Sequence, residues 1–138
     1  MSGLLRNTEI LTMNDGIKLI QDIKIGDRVA THKGNVDSVI KVYQDNVEYK
    51  SIHVLHILGG LKIKVFGDQF ICSNDDKWIQ VDQLIPGHHY VRSLKAGYVG
   101  ILSNNIVEES ITDYVYKLGI ENEDSYPIGS IGIYTKIN

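Results

Sequence analysis

Few side chains in this chain are spaced to do chemistry. The five histidines raise the question of a metal site, and zinc needs three or four converging ligands. His53 and His56 stand three apart in an extended stretch, so they leave opposite faces. His88 and His89 diverge after Gly87, and His32 is isolated. Ordinary surface or rim histidines are the better reading, and no metal or other cofactor is expected. Asp75-Asp76 and Glu108-Glu109 pair the carboxylates that acid–base hydrolysis uses. Each pair is consecutive in a polar stretch, where acids serve turns. Cys72 is the one cysteine, which excludes an internal disulfide and a cysteine cluster. It follows two apolar residues with no basic neighbour, so it reads as a buried structural thiol. Gly59-Gly60 and Gly129-x-x-Gly132 lack the Lys-Ser/Thr step and the helix of a phosphate loop.

The elements that would position these groups are mostly strands. Period-two alternation with β-branched residues predicts strands at 36–43, 47–57, 61–65, 69–72, 98–102 and 115–121. Gly59-Gly60 marks a tight turn, so 47–57 and 61–65 form a hairpin. Residues 126–134 read as two short strands around a turn. Helical pattern is confined to 81–84 and 107–112, about one turn each. Turn glycines sit between the apolar runs, and no linker divides the chain. The expectation is a single all-β domain spanning 1–138, barrel-like or disk-like.

Composition narrows the function. Hydrophobic residues make up 43% and charged residues 22%, ordinary for a globular protein. The net charge of -3, with scattered lysines, offers no basic stripe for nucleic acid. No apolar run is long enough to span a membrane, and the first residues, Met1 to Arg6, are too short for a signal peptide. An intracellular or particle-enclosed protein is expected. The chain is rich in Ile and Lys, with arginine only at Arg6, Arg28 and Arg92. That bias suits an A+T-rich source and makes a viral particle component a conceivable role.

One internal repeat is visible. Asp15-Gly16, Ile20, Ile23, Gly26 and Val29 recur as Asp76-Lys77, Val81, Leu84, Gly87 and Tyr90, shifted by 61 residues. The unit is a turn, a strand, a short approach, a glycine and a second strand. Two such copies imply similar halves about a pseudo-twofold axis.

The opening segment, Thr8-Glu9-Ile10-Leu11 through Asn14-Asp15-Gly16 to Ile20, Ile23 and Ile25-Gly26-Asp27-Arg28-Val29, resembles the start of a Hint domain. That is the fold of inteins and of Hedgehog autoprocessing regions. Phe70, Lys77-Trp78, Val115-Tyr116-Lys117-Leu118-Gly119-Ile120-Glu121 and 126–134 resemble its later blocks. The resemblance implies an all-β, disk-shaped Hint-like fold with pseudo-twofold halves. It also implies self-processing chemistry. A thiol or hydroxyl attacks the preceding carbonyl, a Thr-x-x-His pair polarises the amide and protonates the leaving nitrogen, a later His assists, and a terminal His-Asn pair follows.

Carried onto this sequence, those positions lack the required groups. The nucleophile position is Gly3. The Thr and His positions are Val65 and Asp68, the later His is Asp124, and the terminal pair is Tyr134-Thr135. An aspartate with an ordinary pKa near 3.9 is a poor proton donor at neutral pH, and groups that act as a unit fail together. Only Met1-Ser2 precede Gly3, implying nothing upstream to release. Ser2 and Asn138 are the displaced groups an active alternative would draw on. The expected role is a non-catalytic structural or protein-interaction module with an unidentified protein partner and neither nucleic acid nor membrane. Homo-oligomerisation stays open, as do an active self-processing domain using displaced residues and a convergent all-β scaffold. Some of the eight tyrosines suit an interface, without the sequence saying which.

Overall fold

Side chains that alternate between water and core favour pleated backbone, and the chain is built almost wholly from it. A computed structural model describes residues 3–47, 51–107 and 113–136. The strands are β1 (Leu4–Leu5), β2 (Glu9–Leu11), β3 (Ile17–Leu19), β4 (Arg28–Ala30), β5 (Val36–Val47), β6 (Ile52–Ile57), β7 (Lys62–Phe66), β8 (Phe70–Cys72), β9 (Trp78–Gln80), β10 (Tyr90–Ser93), β11 (Gly97–Val107), β12 (Asp113–Ile120), β13 (Ser125–Ile128) and β14 (Ile133–Lys136). Single 3₁₀ turns lie at Ile20–Asp22, Asn74–Asp76 and Val81–Gln83. The expected hairpin of β6 and β7 forms, with Gly59 and Gly60 at φ of 101° and 96° in its turn.

The internal repeat is real in three dimensions. The unit β2, β3, 3₁₀ turn, β4 recurs as β8, β9, 3₁₀ turn, β10. Glu9 pairs with Leu19 as Phe70 pairs with Gln80. The Thr12 N–H donates to Gly16 O as the Ser73 N–H donates to Lys77 O, both at 2.8 Å. Gly26 and Gly87 take φ of 98° and 84°, the left-handed region that a glycine enters without steric cost. Asp27, beside the first of them, accepts from the Lys24 N–H, the Lys18 ammonium and the Asn14 amide, and so fixes that turn.

In the second copy Val91, and not Tyr90 as the 61-residue shift predicts, holds the core place of Val29. Val29 and Val91 are both fully buried, while Tyr90 is 48% exposed. The cause is one extra residue at His88-His89, where two successive N–H groups donate to Ile85 O.

Strand pairing crosses between the halves. β5 and β6 are consecutive in the chain, yet β5 pairs with β12 and β6 with β11. The result is a four-stranded sheet ordered β1-β12-β5-β4 and a ten-stranded sheet whose main path runs β3-β2-β13-β14-β10-β11-β6-β7. One apolar cluster draws on both halves, including Leu4, Ile10, Val29, Ile71, Val91 and Leu118. Each such side chain, fully buried, is worth roughly 1.5–3 kcal/mol.

β5 and β11 run past their predicted ends. The outer part of β5 is exposed on both faces at 44–46, and that of β11 is polar at 103–105, so no apolar alternation marks them. Val107 closes β11, and the remainder of the expected helical turn, with Glu108-Glu109, lies outside the described residues, as do Ser2 and Asn138. Among the described residues no helix is long and apolar enough to cross a membrane.

Candidate functional site

Gly3 leads into β1, which pairs with β12 and packs beside β7. That placement leaves no room for a side chain. A Cβ built on Gly3 would lie 2.0 Å from Val115 Cγ1 and 3.1 Å from Tyr116 O. Where a nucleophile would project, the neighbouring strand has put a methyl group.

The positions of the Thr-x-x-His pair fall on β7 and the turn after it. Val65 is fully buried and pairs with His53 across the hairpin. Asp68 is half-buried in the turn. That turn is pinned by backbone bonds: the Gln69 N–H donates to Phe66 O, the Val81 N–H to Gln69 O and the Asp82 N–H to Gly67 O. At the next position, the Gln69 amide Nε2 donates to Thr135 Oγ1 at 2.6 Å and to Lys136 O at 2.9 Å. The Thr135 hydroxyl in turn donates to Phe70 O at 2.7 Å. Thr135, one position of the expected cleavage centre, and Gln69, the neighbour of another, thus form a latch joining β14 to the β7–β8 turn. Satisfying two acceptors leaves Gln69 Oε1 buried without a partner among the described residues, at a cost of about 1–3 kcal/mol.

Tyr134 is buried beneath the Arg92 guanidinium, 5.4 Å from the ring centroid, and burial raises its phenol pKa. Asp124 is exposed and meets the Lys136 ammonium at 3.8 Å, an ion pair worth little in water. Among the described residues no three His, Cys, Asp or Glu side chains converge as a metal site requires. Cys72 is buried, as its apolar neighbours implied, and burial raises its thiol pKa.

Sequence reasoning missed two histidines. His53 was placed among surface or rim residues, but it is only 5% exposed. It shares the inward face of β6 with Leu55 and Ile57, a period-two signal that was there to be read. Asn104 uses its amide nitrogen on Val81 O and Leu84 O, so its oxygen accepts the His53 Nδ1–H at 2.7 Å. The ring lies on Gly67, where an added Cβ would come within 3.0 Å of it. Next to the Thr-x-x-His positions there is therefore an imidazole, fixed as a packing element.

His32 is the second. Its backbone N–H donates to Ser125 Oγ at 3.1 Å, and its Nδ1 lies 2.6 Å from the same oxygen. In the tautomer with its proton on Nε2, Nδ1 accepts from the hydroxyl, a serine–imidazole arrangement of the kind nucleophilic catalysis uses. Ser125, however, is fully enclosed. Trp78 meets the ring edge-on at 5.1 Å, and the pair ties the turn after β4 to β13.

Burial pushes the His32 pKa down, against the pull of Asp124 and Glu123 in the other direction. A lowered folded-state pKa means that the unfolded chain binds the proton more readily. Stability is then fully present above the ordinary value of 6.5 and falls as pH drops below it. The thermal midpoint of the native protein is expected to decline between pH 6.5 and 5. His32→Asn, which keeps an acceptor for Ser125, should flatten that part of the curve. An unchanged slope in the variant would remove His32 as its cause.

The overall shape matches known structures over nearly the whole chain. The solution structure of a bacterial intein-like domain from Clostridium thermocellum superposes with a TM-score of 0.84 at 21% identity, covering 99% of each chain. This is the Hint fold. The Hint likeness extends to a DnaB intein from Synechocystis, with a TM-score of 0.78, 16% identity and 99% of each chain covered. The MchDnaB-1 intein gives 0.76 at 18% identity, with 96% of this chain and 98% of that one covered. No family model and no curated protein matches the sequence. At these identities the likeness shows the fold.

Proposed function

We propose that this chain is a Hint-fold module that does not process its own backbone and acts by binding another protein. The observation that carries the first half is the filled space at Gly3, where Val115 occupies the volume a nucleophilic side chain would need. The Gln69–Thr135 latch supports it, because the polar groups there are committed to holding strands together. The second half is supported by surface character. Tyr90 and Tyr98, both about half exposed, stand diagonally across the β10–β11 hairpin, and tyrosine is enriched at protein interfaces.

The test is a stable reporter domain fused ahead of Met1. Incubation with excess thiol, followed by intact-mass measurement, is expected to return the uncleaved fusion. Release of the reporter would overturn the reading and favour self-processing by displaced residues. His32→Asn and Ser125→Ala in the same fusion would then show whether the buried serine–imidazole pair is responsible.

A further inference from the structure

The outer face of the β10–β11 hairpin carries a pocket that the Hint likeness does not explain. Tyr90 and Tyr98 line it together with Asn74 and Asp75, around a space of about 290 Å³. Its construction is local. Val91 points into the core, so Tyr90 and Arg92 must point out. Tyr90 pairs with Gly100 and Arg92 with Tyr98, which sets the two tyrosines diagonally across the hairpin. Gly100 has no side chain, and an added Cβ there would meet nothing within 4 Å, so the floor opposite Tyr90 is open. Both rings are about half exposed, at 48% and 51%.

The walls are held in place. Asn74 Oδ1 accepts the Tyr90 N–H at 2.7 Å, and its amide donates to His88 O at 2.9 Å. This fixes the 3₁₀ turn against the start of β10. Asp75 and Asp76 both stand at φ of 57°. Asp76 is engaged, accepting the Tyr98 hydroxyl at 2.6 Å and pairing with the Arg92 guanidinium at 3.2 Å. Asp75 is the exposed carboxylate on the pocket wall.

We infer that this pocket receives the side chain of an arginine presented by a protein partner. The chemistry is two aromatic faces, which attract a cation through their quadrupoles, and a carboxylate to pair with it. The molecule contains its own precedent alongside. Arg92 stacks over Tyr134 at 5.4 Å and pairs with Asp76, so this face already binds one guanidinium by a ring and an acid. Tyr90, Tyr98 and Asp75 repeat those parts, and among the described residues no cation stacks on either ring. The planar guanidinium suits such a slot better than a compact ammonium. The inference deepens the binding half of the proposed function and is independent of whether the chain can cleave itself.

The experiment is a backbone-amide NMR titration of the full chain with N-acetyl-arginine amide, N-acetyl-lysine amide and N-acetyl-citrulline amide. Citrulline keeps the shape of arginine without its charge. Arginine is expected to shift the amides of residues 74, 75, 90, 98 and 100 at millimolar concentration. Citrulline should bind roughly three- to tenfold more weakly, the loss expected for a surface-exposed cation–π and ion-pair contact. Asp75→Asn, which also tolerates the left-handed backbone, should weaken arginine binding by a similar factor. Tyr90→Leu should abolish the localised shifts. Equal binding of citrulline, stronger binding of lysine than arginine, shifts centred elsewhere, or no saturable shift would each overturn the proposal. A negative titration beside an uncleaved reporter would reject the pocket alone.

Discussion

Replacing Gly3 by cysteine is expected to destabilise the protein without awakening it. The new Cβ would sit 2.0 Å from Val115 Cγ1, far inside van der Waals contact, with Tyr116 O closing another side. Val115 is β-branched and 5% exposed, so it has little freedom to turn away. Overpacking of this kind costs about 1–3 kcal/mol, to be read from urea unfolding of Gly3→Cys against the native chain. The companion measurement places Gly3→Cys on a Val115→Ala background. There the added cost should be clearly smaller, a coupling expected only if those two side chains compete for one space. The reporter fused to either variant should stay attached in excess thiol, because Val65 and Asp68 still supply no Thr-x-x-His pair. A Gly3→Cys protein as stable as the native one would sink the steric account.

Removing the Asp37 carboxylate should cost about 3 kcal/mol, the scale for hydrogen bonds to a buried charge and the donors left behind. Asp37 is 5% exposed at the start of β5. It accepts from the backbone N–H groups of Ser38, Asn122 and Glu123 and from the Asn122 amide, all between 2.8 and 3.2 Å. One side chain thus anchors the turn between β12 and β13, the turn that carries Asp124. Burial alone would raise its pKa, but the bonds from Asn122, Ser38 and Glu123 outweigh burial and leave it below the ordinary 3.8.

The sign follows from that depression. Stability from Asp37 is fully present above the unfolded value and is lost as pH falls through the lower folded one. Acid unfolding of the native chain should therefore steepen below about pH 4, a window separate from that of His32. Asp27, depressed because the Lys18, Lys24 and Asn14 bonds prevail over burial, adds to the same window. In Asp37→Ala the slope there should be shallower. Chemical denaturation at pH 7 and at pH 3 checks both the magnitude and the sign, and an Asp37→Ala protein of native stability would refute the anchor.

Much of the fold was legible in the residues because much of it is local. Asp15-Gly16 and Asp76-Lys77, with Gly26 and Gly87, set turns whose hydrogen bonds close within a few positions. The β6–β7 hairpin and the 3₁₀ turn at 81–83 could be read the same way. The residue types at the family-equivalent positions were legible too, since a glycine, a valine and a threonine are what they are in any fold.

Alternation cannot name a strand's partner. The same period-two pattern serves whichever neighbour lies alongside, so the exchange of β5 onto β12 and β6 onto β11 was decided only when the two halves met. The methyl of Val115 in the space beside Gly3, the Gln69–Thr135 latch and the burial of His53 are products of that meeting. Each joins residues on different strands, and only the packed molecule sets the distance between them.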